Sequence, residues 1–246
     1  MNPLVPVFAL VGLLSGPTLH HLAVRAGARE PFGAGLPACE SCGAVRPVSR
    51  WFAGPCRTCG SVPRRREWVV GGLAAAAAAG AVLVSGGEWT LPAHLVLAAV
   101  TVVLVITDID HKLIPNRILY PGIATAIVLL AGGAVVEGEL GSLWRGVVSG
   151  GAYFAVLYLV ALVARGGFGF GDVKLAFLLG LFTGFASLRV FLMAVFFTGV
   201  IGGIPAIVLL LSGRRGARSE MPYGPAMIAG AWAALVWGES FATLYL

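Results

Sequence analysis

Two short segments carry carboxylates where carboxylates are costly. Asp108-Ile109-Asp110-His111-Lys112-Leu113-Ile114-Pro115-Asn116 follows one long apolar run, and Gly169-Phe170-Gly171-Asp172 precedes another. An ionisable side chain in or beside a bilayer is expensive and marks a functional site by default. Two carboxyl groups brought close together do not both ionise cheaply, so they share a proton. The ionised one takes a proton from water as general base, and the protonated one polarises a carbonyl. That is aspartyl-protease chemistry, here expected at a membrane surface with Asp108 and Asp172 as the catalytic pair. Such a pair titrates as a unit, so neither carboxyl is given a separate role.

The elements around the two aspartates must position them. Leu91–Thr107 is apolar apart from His94 and two Thr, and it ends on Asp108. Pro115 cannot donate a backbone hydrogen bond and disfavours helix at Ile114. Asp108 is therefore expected where a helix ends, and Asp110, two residues on in an extended segment, faces elsewhere. In Gly166-Gly167-Phe168-Gly169-Phe170-Gly171-Asp172 the glycines argue against a regular helix. Irregular backbone near membrane depth must be buried in protein or line a wet cavity. Such a segment suits pairing with an extended substrate, so Gly169, Gly171, Lys174 and Pro115 are the expected substrate-binding residues. Lys174 also has the reach to snorkel or to tune the charge near Asp172. The bland reading of each aspartate is an interfacial charge at a helix end. His111 and Lys112 read as solvent- or headgroup-facing, His20 and His21 as interfacial packing, and His94 as a satisfied polar residue within a span.

Composition places these segments in a membrane. Hydrophobic residues make up 58% of the 246 and charged residues only 11%, with a mean hydropathy of +0.91. Soluble domains carry about 25% charged residues. The expected fold is an all-α polytopic membrane protein with about eight transmembrane helices and a small zinc-ribbon-like cytosolic loop domain. The spans fall near Pro3–Val24, Trp68–Ser85, Leu91–Thr107, Ile118–Val136, Leu143–Ala164, Val173–Ala186, Leu188–Leu211 and Pro222–Leu246. The sixth is short and its boundary at Ser187–Arg189 is weak, so a seven-span count is the alternative. Three domains follow: 1–24 as the first transmembrane helix, 25–67 as the cysteine-bearing loop, and 68–246 as the membrane-embedded peptidase core. The thirty-five glycines suit close helix packing in lipid.

Charge sets the orientation. All Lys and Arg except Arg145 and Arg189 fall in alternate loops, while Glu88, Glu137 and Glu139 lie on the other side. Basic loops stay cytosolic. The cysteines and both aspartate motifs are then cytosolic and both termini outside, in a multi-pass protein of the cell inner membrane. The first apolar run has no Lys or Arg before it, unlike a secretory signal, and reads as an uncleaved anchor.

Cys39-x2-Cys42 and Cys56-x2-Cys59 are separated by 13 residues, and Gly43 and Gly60 each follow the second cysteine of a pair. Two such turns place four thiolates at the corners of a tetrahedron, the geometry of structural zinc. The glycines allow the backbone to fold back under the metal. Disulfides are the alternative, disfavoured in a reducing cytosol. Four sulfur ligands leave no open position for water, so a structural role is expected.

The chain resembles the type IV prepilin peptidases, within the Gly-x-Gly-Asp class of intramembrane aspartyl proteases. Asp108-x6-Pro115-Asn116 resembles that family's first aspartate motif, and Gly169-Phe170-Gly171-Asp172-Val173-Lys174 its second. The 64-residue separation of the aspartates fits the family. The paired CxxC motifs resemble its zinc-binding N-terminal region, and Met221-Pro222-Tyr223-Gly224-Pro225 its Pro-Phe-Gly-Pro element. The resemblance implies that prepilins and pseudopilins are the substrates, with the basic leader cut after Gly at the cytosolic face. It also implies, in many members, methylation of the new amine using S-adenosylmethionine. Two methylation-associated elements match poorly: Ser15–Leu22 lacks the expected Asn, and in Arg64-Arg65-Arg66-Glu67-Trp68-Val69-Val70 the carboxylate is displaced. A bifunctional enzyme and a peptidase-only enzyme are thus both open. No nucleic-acid partner is expected, and the sequence leaves the oligomeric state undetermined. A proton- or cation-coupled transporter would carry midplane charges and a half-repeat, and a zinc-organised scaffold would make both aspartates dispensable.

Overall fold

The computed structural model describes residues 2–29, 39, 41–45, 55–61, 65–85, 88–163, 169–211 and 222–245. The glycine-rich stretch 166–168, the Arg-rich segment 213–220 and most of the loop after the first helix, with Phe32, Trp51 and Phe52, lie outside the described residues. Among the described residues the chain forms eight α-helices: α1 (Leu4–Gly27), α2 (Arg65–Ser85), α3 (Leu91–His111), α4 (Asn116–Glu137), α5 (Leu140–Val163), α6 (Phe170–Ala186), α7 (Leu188–Leu211) and α8 (Gly224–Tyr245). Five of them, α1 to α5, are long and apolar enough to cross a bilayer by length and composition. The chain is an all-α, multi-pass membrane protein.

Two compact units divide at Thr107–Asp108. In the first, α1 and α2 cross on small residues. Gly12 lies against the backbone of Ala74, and Gly16 against Gly71. Lipid tails are as apolar as leucine, so helices in a membrane gain from close backbone contact that side chains larger than these would prevent. His94 is buried and its Nδ1 lies 2.9 Å from the Thr90 carbonyl, as its satisfied-core reading requires.

The second unit follows the same rule. At the α5–α6 crossing a Cβ on Gly150 would meet the Phe177 carbonyl at 2.8 Å, and one on Gly180 would meet the Gly150 Cα at 2.8 Å. Arg145 reaches the far end of α6, where its Nε donates to Gly184 O at 2.8 Å and its guanidinium to Phe185 O at 2.7 Å. Helix ends leave carbonyls without intrahelical partners, and a cation there meets the negative end of the helix dipole. Ser187 keeps α6 and α7 apart. It is extended (ψ 162°), and its Oγ accepts from the Val190 N–H at 3.1 Å in an N-cap bond. The weak sixth boundary is thus a true break between helices.

Two local expectations are revised. Helix α3 runs a full turn past Thr107, to His111, because Pro115 restrains only the residue before it and leaves 108–111 free to stay helical. The stop comes at Lys112, at φ 51°. Likewise α6 begins at Phe170, so Gly171 and Asp172 are helical rather than extended. Glycine costs little in a first turn whose N–H groups have no intrahelical acceptor, and a carboxylate there meets the positive end of the dipole.

Candidate active site and metal-binding cluster

Asp108 stands in the last turn of α3 and Asp172 in the first turn of α6, both in the second unit. Both are buried, at 5% and 8% exposure. They line one cavity of about 270 Å³ with Lys112, Leu113, Ile114, Asn116, Gly169, Phe170, Gly171 and Lys174. Asp110 is exposed.

Three local features bring the carboxyls together. The left-handed turn at Lys112, closed by its N–H to Asp108 O at 2.9 Å, turns the chain back into Leu113-Ile114-Pro115. Ile114 is buried there, and a Cβ on Gly171 would press on its Cβ at 2.9 Å. Gly171 is therefore required for the start of α6 to sit on Ile114. The third feature is the start of α8. The Gly224 N–H donates to Asp108 Oδ2 at 3.1 Å, and a Cβ on Gly224 would stand 2.8 Å from that oxygen.

Asp108 thus has a fixed backbone donor. Asp172 Oδ1 is buried and has no hydrogen-bond partner among the described residues. A buried, unsatisfied carboxylate oxygen calls for a functional explanation. It belongs to a carboxyl that lines the cavity shared with Asp108.

Of the expected substrate-binding residues, Gly169, Gly171 and Lys174 line the cavity. Gly169 is extended (ψ 128°), as is Pro115 (ψ 122°), which caps α4. Pro115 is buried. Lys174 turns toward α4: its Nζ donates to Asn116 Oδ1 at 3.1 Å and lies 5.1 Å from the Tyr120 ring centroid and 4.7 Å from that of Phe170. Sequence reasoning did not assign Ile114, Asn116 or Gly224 to the site. Asn116 and Gly224 sit inside motifs the resemblance had singled out, whereas nothing in the type or spacing of Ile114 points to it.

The cysteines form a second, separate cluster in the first unit. Cys39, Cys42, Cys56 and Cys59 bring their sulfurs within 4.8 Å of one another. Cys39 Sγ and Cys59 Sγ are 3.5 Å apart, and Cys42 Sγ and Cys56 Sγ 3.7 Å. A tetrahedral metal with bonds near 2.3 Å needs sulfur–sulfur edges of about 3.8 Å. The residues present therefore fit such an ion. The two turns repeat one geometry. The Gly43 N–H donates to Cys39 O at 2.8 Å and the Gly60 N–H to Cys56 O at 2.9 Å. Gly43 and Gly60 are left-handed, at φ 71° and 74°. Ser61 Oγ, 3.0 Å from Cys39 Sγ, holds that thiol down to about 5, while its neighbours' sulfurs push Cys42 up to about 12, so without a cation the four thiols do not ionise together.

Comparison with known proteins bears on the aspartate cavity. Residues 95–207, which include both aspartates, match the type IV leader peptidase family. The chain is 32% identical to a prepilin leader peptidase/N-methyltransferase of Bacillus subtilis over 62% of its own length and 58% of that protein's. It is 29% identical to a protein of that name from Stutzerimonas stutzeri, covering 81% of this chain and 69% of the relative. With the Burkholderia pseudomallei protein so named it shares 30% identity, over 83% of this chain and 68% of the relative. No solved structure matches.

Proposed function

Because the chain belongs to the type IV leader peptidase family, we propose that it is a membrane aspartyl endopeptidase that removes the leader of prepilins or pseudopilins. The observation that carries the reading is the shared cavity. Two buried carboxyls from α3 and α6 line it together, and one of them presents an unsatisfied oxygen. The matched relatives bear names that state leader cleavage. The chain spans little more than half the length of the Bacillus subtilis protein.

In this reading Asp108 and Asp172 hold one proton between them. The ionised carboxylate takes a proton from water as the oxygen attacks the scissile carbonyl, and the carboxylic acid donates to the developing oxyanion. Proton transfer to the leaving amine then breaks the C–N bond and returns the pair to its starting charge. The Gly224 N–H fixes Asp108 through this cycle. Gly169 supplies extended backbone at the cavity wall.

The finer assignments rest on physical argument. Eight helices with basic residues in alternate connections support eight spans, an inner-membrane location and a cytosolic active site. Zinc, held by the four thiolates, would supply a structural cross-link to the cysteine loop. S-adenosylmethionine-dependent methylation is named in the relatives. The departures at Ser15–Leu22 and Arg64–Val70 leave a bifunctional enzyme and a peptidase-only enzyme as the two forms of this reading.

The test is co-expression of a prepilin from the same genome with wild type, Asp108→Asn or Asp172→Asn, read by intact mass. Loss of the leader with wild type alone is the expected result. Cleavage that survives both substitutions at equal protein level would sink the mechanism, and the presence or absence of an added methyl mass on the product decides between the bifunctional and the peptidase-only form.

A further inference from the structure

The two aspartate motifs are tied together by a side chain that performs no chemistry in the mechanism above. Lys174 lies two residues after Asp172, on α6. Its ammonium donates to the carboxamide of Asn116, the first residue of α4, at 3.1 Å. Asn116 in turn follows the Leu113–Pro115 segment that descends from Asp108. The ammonium also lies over two rings, 5.1 Å from the centroid of Tyr120 on α4 and 4.7 Å from that of Phe170 on α6. A lone hydrogen bond at an exposed surface holds little. A cation that also lies over two aromatic faces is held more firmly, because the ring faces attract it. One element of the clasp, Phe170, lines the catalytic cavity with Asn116 and Lys174 themselves.

The position of the clasp matters because α4 and α6 otherwise meet sparsely. Near the cavity the other tie is Ile114 against Gly171. Those two ties set how far the start of α6, and hence Asp172, stands from the end of α3 and Asp108. Acid–base pairs tolerate little misplacement: an error of about 1 Å can cost on the order of 100-fold in rate.

We propose that Lys174 is a positioning residue, whose clasp on Asn116, Tyr120 and Phe170 sets the spacing of Asp108 and Asp172 rather than contacting substrate. This rests on the peptidase reading of the same cavity.

The experiment uses the full chain in membranes or detergent and has two readouts. Hydrogen exchange, which needs no substrate, follows the segments 113–117 and 169–174. Cleavage kinetics give kcat and KM for a purified prepilin. Lys174→Met and Asn116→Ala are each expected to speed exchange in both segments by about 10-fold, as a local opening does. Each lowers kcat by about 10- to 100-fold with KM held within about twofold. The double variant is expected to be no slower than the worse single, because one contact is broken either way. Asn116→Asp, which keeps an acceptor for the ammonium, recovers most of the loss. Multiplying losses in the double variant would overturn the proposal, as would unchanged exchange. A raised KM with kcat intact would overturn it too and assign Lys174 to substrate. An equal fall in global melting temperature and rate, with no segment singled out by exchange, would reduce the clasp to ordinary stability. If wild type fails to cleave any prepilin, the peptidase reading falls, and exchange alone decides the clasp.

Discussion

The cysteine cluster and the aspartate cavity are built in opposite ways. Each CxxC turn is made within six residues: a Cys N–H bonded to the carbonyl five residues on, and a left-handed glycine closing the turn. Copying that turn twice gives four sulfurs at metal-binding distance. The aspartates are 64 residues apart, and neither comes with its own geometry. Asp108 is held by Gly224, 116 residues away in sequence, and the start of Asp172's helix rests on Ile114. One site is local and repeats itself; the other exists only when α3, α4, α6 and α8 pack. A metal can hold together a short segment with little core of its own. A proton-sharing pair instead needs rigid helices, because its chemistry fails with small displacements.

The largest effect should come from the carboxyls. Asp108→Asn or Asp172→Asn is expected to lower cleavage by at least about 1,000-fold, at the upper range for losing an acid–base group. Metal content, measured by elemental analysis of the purified variants, should stay at the wild-type value. A variant that lost both activity and metal would contradict the separateness of the two sites.

Gly171→Ala tests whether packing rather than chemistry sets the cavity. Its new Cβ would press on Ile114, with a stability cost of about 1–3 kcal/mol for overpacking and a rate loss of about 10- to 100-fold. Thermal unfolding in detergent and initial cleavage rates check both. Wild-type activity from this variant would mean that Ile114 yields and does not set the spacing.

The cysteine side of the comparison should break alone. Cys39→Ser or Cys56→Ser is expected to abolish metal binding and to expose the 39–61 region to protease. Cleavage of prepilin should fall by no more than about threefold, as for sites without shared partners. Loss of cleavage in step with loss of metal would join what this comparison separates.

The smallest effect concerns the far end of α6. Arg145→Ala removes the cation from the carbonyls of Gly184 and Phe185 and should cost about 1 kcal/mol of stability. The cleavage rate should be little changed, since Asp172 stands at the other end of the helix. A loss of activity as large as that of Gly171→Ala would show that α6 moves as a rigid rod from its capped end.

Much of this was legible without coordinates, and the reason differs by element. The helix Leu188–Leu211 was legible because apolar length is a local signal, whereas the boundary at Ser187 read as weak and only the capping bond resolves it. The four cysteines were legible because their geometry is written in their spacing. The revised ends of α3 and α6 were not. A proline acts on its immediate neighbour, and the glycines near Asp172 sit where a helix tolerates them, so neither residue type fixes the boundary alone.

The sequence by itself determined that the chain spans a membrane repeatedly, which residues carry charge into it, and where four thiols meet. These follow from composition, period and short spacing. Only the tertiary structure decided that Asp108 and Asp172 share one cavity, that Gly224 holds one of them, and that Lys174 faces Asn116. Each of those depends on which small residues let two backbones approach, and that is a property of the pair of helices and of neither sequence alone.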